Sequence, residues 1–252
     1  MKAAAGFDPL LRRPFSVFEV LRDGRGTPTG LTILSKRIGP STRLLYDVRA
    51  GDRVACLGPL GRPWPLDEEP GRALMVAGGV GLAPFVTLAE TLGARGVPMT
   101  LFYGARRGAE LFCLDLFARL GVELVLTTED GSAGERGLVT APLERALAAT
   151  TVNAEHAETA EGRAAVPAGS ASAASIGGLH VYACGPEPMM KAVARLSMRY
   201  GVACHVSMER IMGCGMGGCY SCVVPVRTAR GSHHVRSCVA GPVMAAEEIV
   251  WA

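Results

Sequence analysis

From Arg72 to Tyr200 the chain alternates two kinds of apolar block. RALMVAGG, PMTLFYGA, VELVLTT and LHVYACG are short apolar runs of strand length. LAPFVTLAETLGAR, ELFCLDLFARL and PEPMMKAVARLSMRY mix apolar and polar positions, as helices do. Strand and helix in turn predict a parallel sheet covered on both faces. Ahead of it, PFSVFEVL, LTILSKRI and DRVACLGPL carry β-branched and aromatic residues between Gly, Pro and Asp turns, which predicts three strands. The pattern divides the chain into a β-rich region over residues 1–68, an α/β domain over 69–206 and a short glycine-rich module over 207–252.

One stretch fits neither rhythm. AATTVNAEHAETAEGRAAVPAGSASAASIGG, residues 148–178, holds almost nothing large to bury and reads as a mobile surface insertion in the α/β domain. Elsewhere, 49% hydrophobic and 19% charged residues describe a globular chain. A net charge of +3 without any block of like charges argues against nucleic acid as a partner. No run reads as a membrane span: the longest uncharged one, ALMVAGGVGLAPFVTLA, is broken by glycines and a proline. The start MKAAAGFDPLLRRPF lacks the apolar core of a signal peptide, so a cytoplasmic location is expected. Disulfides are rare there, and the eight cysteines call for another use.

Four of them supply it. Cys214, Cys219 and Cys222 follow the spacing C-x4-C-x2-C in CGMGGCYSC, and Cys238 comes later in VRSC. That is the plant-type spacing for [2Fe–2S] ligands, in which four thiolates converge on two irons. Gly213, Gly215, Gly217 and Gly218 suit a chain that must wrap tightly and turn amides toward sulfur. Zinc remains the competing reading, although zinc sites favour two C-x2-C pairs and only one is present. His233 and His234 in GSHHVRS lie near Cys238 but read as exposed turn or strand residues.

Two further segments stand at strand-to-helix junctions. In VAGGVGLAPF the residues Gly78, Gly79, Val80 and Gly81 allow a tight turn and a close backbone approach to phosphate, with Pro84 where a strict GxGxxG has its third glycine. In YACGPEPMM the strand ends at Cys184, and Gly185 and Pro186 open the next helix. Ligands of such sheets lie beyond the carboxyl ends of the strands, so both turns are expected to line one crevice. Cys184 reads first as a packed core thiol and second as a cofactor contact.

The order RPFS, GGVGLAPF, CGPEPMM and CGMGGCYSC resembles that of the ferredoxin-reductase-like flavoproteins. The C-terminal cysteine module makes the chain similar to the electron-transfer subunits of dihydroorotate dehydrogenase B. The resemblance implies an N-terminal FAD-binding β-barrel, a parallel α/β nucleotide-binding domain for NAD and a small [2Fe–2S] module. It implies that Arg13, Pro14, Phe15 and Ser16 contact FAD, with Leu34, Ser35 and Lys36 as a second FAD segment. Ser41 and Thr42 stand where the family has Gly-Thr at the flavin phosphates. The function implied is transfer of electrons from an FMN-containing catalytic subunit to NAD+ in pyrimidine biosynthesis, in a heterotetramer. Because RPFS stands almost at the start, the barrel is expected to be incomplete, with an open edge. Ala240 stands where an acidic residue is expected in relatives. Two other assignments share the layout: the small subunit of a sulfide dehydrogenase, or of an NADH-dependent ferredoxin:NADP+ oxidoreductase. A zinc-stabilised binding module without redox function is the reading from another class.

Overall fold

The computed structural model describes residues 1, 12–66, 70–161, 178–229 and 231–251, with backbone only for 151–161. Among the described residues the N-terminal region forms one hairpin, β1 (Glu19–Arg22) against β2 (Pro28–Thr32), antiparallel and followed by a short helix α1 (Pro40–Tyr46). Asp23 sets the hairpin turn by accepting the amides of Arg25 and Thr27, both at 2.9 Å. The third strand expected at DRVACLGPL does not form a ladder among the described residues, and Leu57 and Leu60 there are exposed. Strand-forming composition becomes a strand only where a partner edge is at hand.

The α/β domain follows the expected rhythm. Its elements are β3 (Arg72–Gly78), α2 (Phe85–Ala94), β4 (Met99–Ala105), α3 (Leu114–Arg119), β5 (Glu123–Thr128), β6 (Glu135–Arg136), α4 (Thr140–Glu161), β7 (Leu179–Cys184), α5 (Glu187–Arg199) and β8 (Ala203–Ser207). The first part of the segment read as a loose insertion is therefore helical, because α4 runs through it to Glu161. Its alanines are strong helix formers and need no burial to continue a helix already begun. Residues 162–177 of that segment lie outside the described residues.

The C-terminal region contributes a hairpin, β9 (Val223–Thr228) with β10 (Gly231–Arg236), then α6 (Ser237–Ala240) and β11 (Val243–Ala245). The last strand returns to the main sheet and pairs antiparallel with β8. Among the described residues the sheet has seven strands in the order β11-β8-β7-β3-β4-β5-β6. The glycine-rich module is thus tied to the α/β domain by a sheet edge, reinforced by Met208 N–H to Pro242 O at 2.9 Å.

Strand residues alternate between two cores, as the period of two requires. Met75, Leu101, Tyr103 and Tyr182 pack on one face with Phe85 and Leu88 of α2, Phe117 of α3, and Phe18 and Trp64 from the N-terminal region. Val76, Phe102, Val181 and Ala183 face Leu143 and Leu147 of α4, Met190 and Val193 of α5, and Val224 and Ile249 of the C-terminal module. Trp64 anchors the region before β3: it stacks on Phe85 at 5.5 Å, meets Tyr182 edge-on at 5.4 Å, and donates its indole N–H to Pro84 O at 3.1 Å. Among the described residues no helix is long and apolar enough to cross a membrane.

Candidate functional site

The chain leaves β3 toward β4 on one side, and β7 lies on the other, so the strand order reverses beside β3. Ligands of open α/β sheets collect at such a switch point, beyond the carboxyl ends of the strands. Both sequence-predicted turns meet there. Ala77 pairs with Cys184, and beyond that pair the two backbones nearly touch. A Cβ on Gly81 would lie 2.2 Å from Cys184 O, and one on Gly185 would lie 2.9 Å from Gly78 N. A Cβ on Gly78 would meet Pro186 Cδ at 2.7 Å. Glycine at 78, 81 and 185 is therefore a packing requirement between the two turns.

Gly79 has a different constraint: open space surrounds it, but its φ of +54° favours glycine. Tyr103, fully buried on β4, holds the Gly79 carbonyl at 3.1 Å and receives the Phe112 amide at 3.3 Å. Burial pushes this phenol up to about 12, so it is a fixed neutral bridge between two loops. Val80 and Pro84 are half-buried at the same rim, and Pro186 precedes the first turn of α5. Helix α5 begins at this turn, and a helix N-terminus is a setting suited to a phosphate. Cys184 lies in the core, and burial pushes its thiol up to about 12, which leaves it a neutral packing group.

The acidic residue in the first turn of α5 is neutralised from the cysteine module. Glu187 receives both terminal nitrogens of Arg210, at 2.9 and 3.1 Å, in a half-buried two-point ion pair. The pair links the nucleotide crevice to the segment that leads into Cys214.

That segment turns into a tight loop. Gly215 and Gly217 adopt φ of +73° and +83°, and Tyr220 is forced to +56°. The amides of Met216 and Gly218 both point at Cys214 Sγ at 3.3 Å, and the Cys214 amide points at Cys219 Sγ at 3.4 Å. Ser221 receives the Gly213 amide at 2.9 Å and sits 3.1 Å from Cys219 Sγ. The Ser221 hydroxyl and amide, with help from Cys214, hold the exposed Cys219 thiol down to about 6, so it is a thiolate at neutral pH. Burial opposes ionisation of Cys222, but hydrogen bonds from Cys238 and Ser237 outweigh it and lower its pKa. Cys238 is raised by burial and by Cys222 beside it.

The Cys214 amide thus ties Cys214 to Cys219 Sγ, while Cys222 and Cys238 influence each other's ionisation. Four thiols in one loop region, with backbone amides turned toward two of the sulfurs, fit the donor set of an iron–sulfur cluster. His233 and His234 are exposed on β10.

The flavin segments inferred from resemblance meet at one end of the hairpin. Phe18 N–H donates to Thr32 O at 3.0 Å, which extends the β1–β2 ladder and sets Arg13–Ser16 beside the exit of β2 toward Leu34–Lys36. Arg13, Pro14 and Ser16 are exposed, Phe15 is half-buried, and Leu34 packs against the core face that holds Trp64. Among the described residues Ser35 Oγ is buried without a hydrogen-bond partner, which suits a polar ligand atom. Ser41 and Thr42 fall in the first turn of α1, where Thr42 Oγ1 already serves the amides of Ile38 and Gly39 at 3.0 Å. Sequence reasoning missed Arg210, Glu187, Ser221 and Arg236, none of which stands in a recognisable spacing.

A switch-point crevice in a parallel sheet, joined to a four-thiol loop, defines an α/β oxidoreductase with an iron–sulfur module. The model of the oxidoreductase NAD-binding domain matches residues 75–195, and that of the iron–sulfur cluster binding domain of dihydroorotate dehydrogenase B matches residues 209–250. The chain is 36% identical to the NAD+-dependent dihydroorotate dehydrogenase B electron transfer subunit of Geobacillus thermodenitrificans, over 99% of this chain and 84% of that one. Identity to the same subunit of Desulforamulus reducens is 33%, over 97% and 82%. A solved NADH-dependent reduced ferredoxin-NADP oxidoreductase superimposes with a TM-score of 0.69 at 27% identity, over 95% of this chain and 80% of that one. The chain belongs to the family of dihydroorotate dehydrogenase B electron-transfer subunits, and its fold is ferredoxin-reductase-like.

Proposed function

We propose that the chain carries electrons from an FMN-containing catalytic dihydroorotate dehydrogenase subunit to NAD+, in the cytoplasm, within a heterotetramer of two copies of each chain. The observation that carries this reading is the loop that turns the amides of Cys214, Met216 and Gly218 toward cysteine sulfur, in a chain of this family. Cys214, Cys219, Cys222 and Cys238 hold a [2Fe–2S] cluster. Arg13, Pro14, Phe15, Ser16, Leu34, Ser35, Lys36, Ser41 and Thr42 hold FAD, and the orphaned Ser35 hydroxyl supports that placement. Gly78, Gly79, Val80, Gly81, Pro84, Cys184, Gly185 and Pro186 form the NAD crevice. When bound, the cluster supplies one-electron transfer and the flavin converts single electrons into the pair that NAD+ takes.

The residues of the chain need no general acid or base for this work. The glycine turns admit the nucleotide backbone, α5 offers amides to its phosphates, and Arg210 removes the charge of Glu187 that would repel them. Exposed Ile211, Met216, Tyr220 and Val239 surround the cysteine loop, which suits an interface beside the cluster. Reconstitution tests the reading. Mixed with a dihydroorotate dehydrogenase catalytic subunit, the chain is expected to confer NAD+-dependent oxidation of dihydroorotate that the catalytic subunit alone lacks. No stimulation, with both chains folded and loaded, overturns it. The second reading, a subunit of an NADH-dependent ferredoxin:NADP+ oxidoreductase, draws on the 0.69 superposition. The 33–36% identities and the match over 209–250 favour the first.

A further inference from the structure

Arg236 stands outside the cysteine spacing yet reaches into the loop. Its guanidinium donates to Gly217 O at 2.7 Å and lies over the Tyr220 ring at 4.8 Å. Among the described residues it pairs with no carboxylate, so its charge is not cancelled locally. The peptide unit that carries Gly217 O also carries the N–H of Gly218. That N–H points at Cys214 Sγ at 3.3 Å. Guanidinium, peptide and ligand sulfur therefore form one chain of hydrogen bonds running in one direction.

The link is sterically enforced. Gly217 is buried, and a Cβ there would lie 2.8 Å from Val239 Cγ2 and 3.4 Å from the Arg236 nitrogen. The Tyr220 ring lies beneath the guanidinium, and Tyr220 is itself in the left-handed region. A cation bound to a carbonyl withdraws electron density through the peptide and makes the N–H at its far end a stronger donor. Hydrogen bonds to cluster sulfurs, together with net charge, set reduction potential.

We propose that Arg236 is a positioning residue that raises the reduction potential of the cluster by polarising the Gly217–Gly218 peptide against Cys214. The inference rests on the [2Fe–2S] reading of the four cysteines. It makes the cluster a readier acceptor for electrons arriving from the partner, without touching substrate or metal. The direction follows from charge: reduction adds an electron to an anionic site, and a strengthened N–H···S bond stabilises the more negative state.

The test is an EPR-monitored redox titration of the purified chain loaded with cluster, for wild type, Arg236→Met and Arg236→Lys. Iron and sulfide content and the visible spectrum are recorded beside the potential. Arg236→Met is expected to shift the oxidised-to-reduced ratio at fixed potential about tenfold toward oxidised, a drop of about 59 mV for a one-electron couple. Arg236→Lys, which keeps the charge, is expected to retain more than half of that difference. An unchanged potential in Arg236→Met with a full cluster overturns the proposal, as does an equal fall in both variants. Should Arg236→Met fail to take up iron, Arg236→Lys and Arg236→Gln carry the comparison, and equal potentials in those two overturn it. A wild-type chain that holds no iron–sulfur cluster overturns the underlying reading as well, which separates that failure from a failure of Arg236 alone.

Discussion

Gly81 and Cys219 illustrate two ways in which one residue is constrained. Gly81 has no room for a methyl group, because the rigid backbone of Cys184 lies 2.2 Å from where its Cβ would be. Gly81→Ala must push β7 and its turn away from β3. The expected cost is about 1–3 kcal/mol in urea unfolding, together with a raised KM for NAD+. Cys219 is constrained by chemistry rather than space: it is exposed, and Ser221 and Cys214 keep it a thiolate. Cys219→Ser is expected to abolish NAD+ reduction by the reconstituted complex while bound FAD, measured by absorbance after gel filtration, stays unchanged. Unchanged turnover would refute a relay through this thiol. The cysteine spacing was legible in the chain because local loops set it. The Ser237 and Arg236 contacts were not, because each depends on where β9 and β10 return the chain.

Elements couple the two sites through few contacts. Helix α5 begins at the nucleotide crevice, and its Glu187 is gripped by Arg210 on the approach to the cysteine loop. Both side chains are about a third exposed, so solvent weakens the pair without removing it. Arg210→Met is expected to cost about 1–2 kcal/mol in denaturant unfolding. It should also raise KM for NAD+ more than it lowers kcat, since Glu187 then faces the phosphates uncompensated. Arg210→Lys should recover part of both effects; equal kinetics in all three proteins would deny the pair any role at the crevice. Strands β3, β4, β5 and β7 and helices α2, α3 and α5 were readable from apolar runs, whereas β6, α4 and β8 were not. DRVACLGPL misled because a strand needs an edge to pair with, and α4 formed where an insertion was expected because alanine continues a helix without burial.

At the scale of the whole molecule, stability depends on pH through a pair of histidines on neighbouring strands. His180 on β7 and His205 on β8 stack, with Nε2 and Nδ1 2.8 Å apart. Burial, and then the charge His205 would carry, hold His180 down to about 4, and burial lowers His205 against the opposing pull of Glu247. In the unfolded chain a histidine titrates near 6.5. Below that pH the unfolded state binds protons that the native state refuses, so the contribution is full above about pH 6.5 and fades toward pH 4. His180 alone accounts for up to about 3 kcal/mol of that loss. The urea midpoint is expected to fall between pH 7 and pH 5, and to fall less in His180→Phe, which keeps the stack on Tyr182. Parallel curves for the two proteins would assign the pH dependence elsewhere.

The sequence by itself determined the sheet-and-helix rhythm, the two glycine turns and the four-thiol spacing. These are local properties, readable from periodicity and from the angles only glycine adopts freely. The tertiary structure alone decided that β11 closes the sheet against β8, that Gly81 abuts Cys184, and that Arg210 and Arg236 tie the cysteine loop to its surroundings. Contacts between residues far apart in the chain exist only once the strand order is set. Strand order is a property of the packed sheet, which minimises exposed apolar surface over the whole molecule at once.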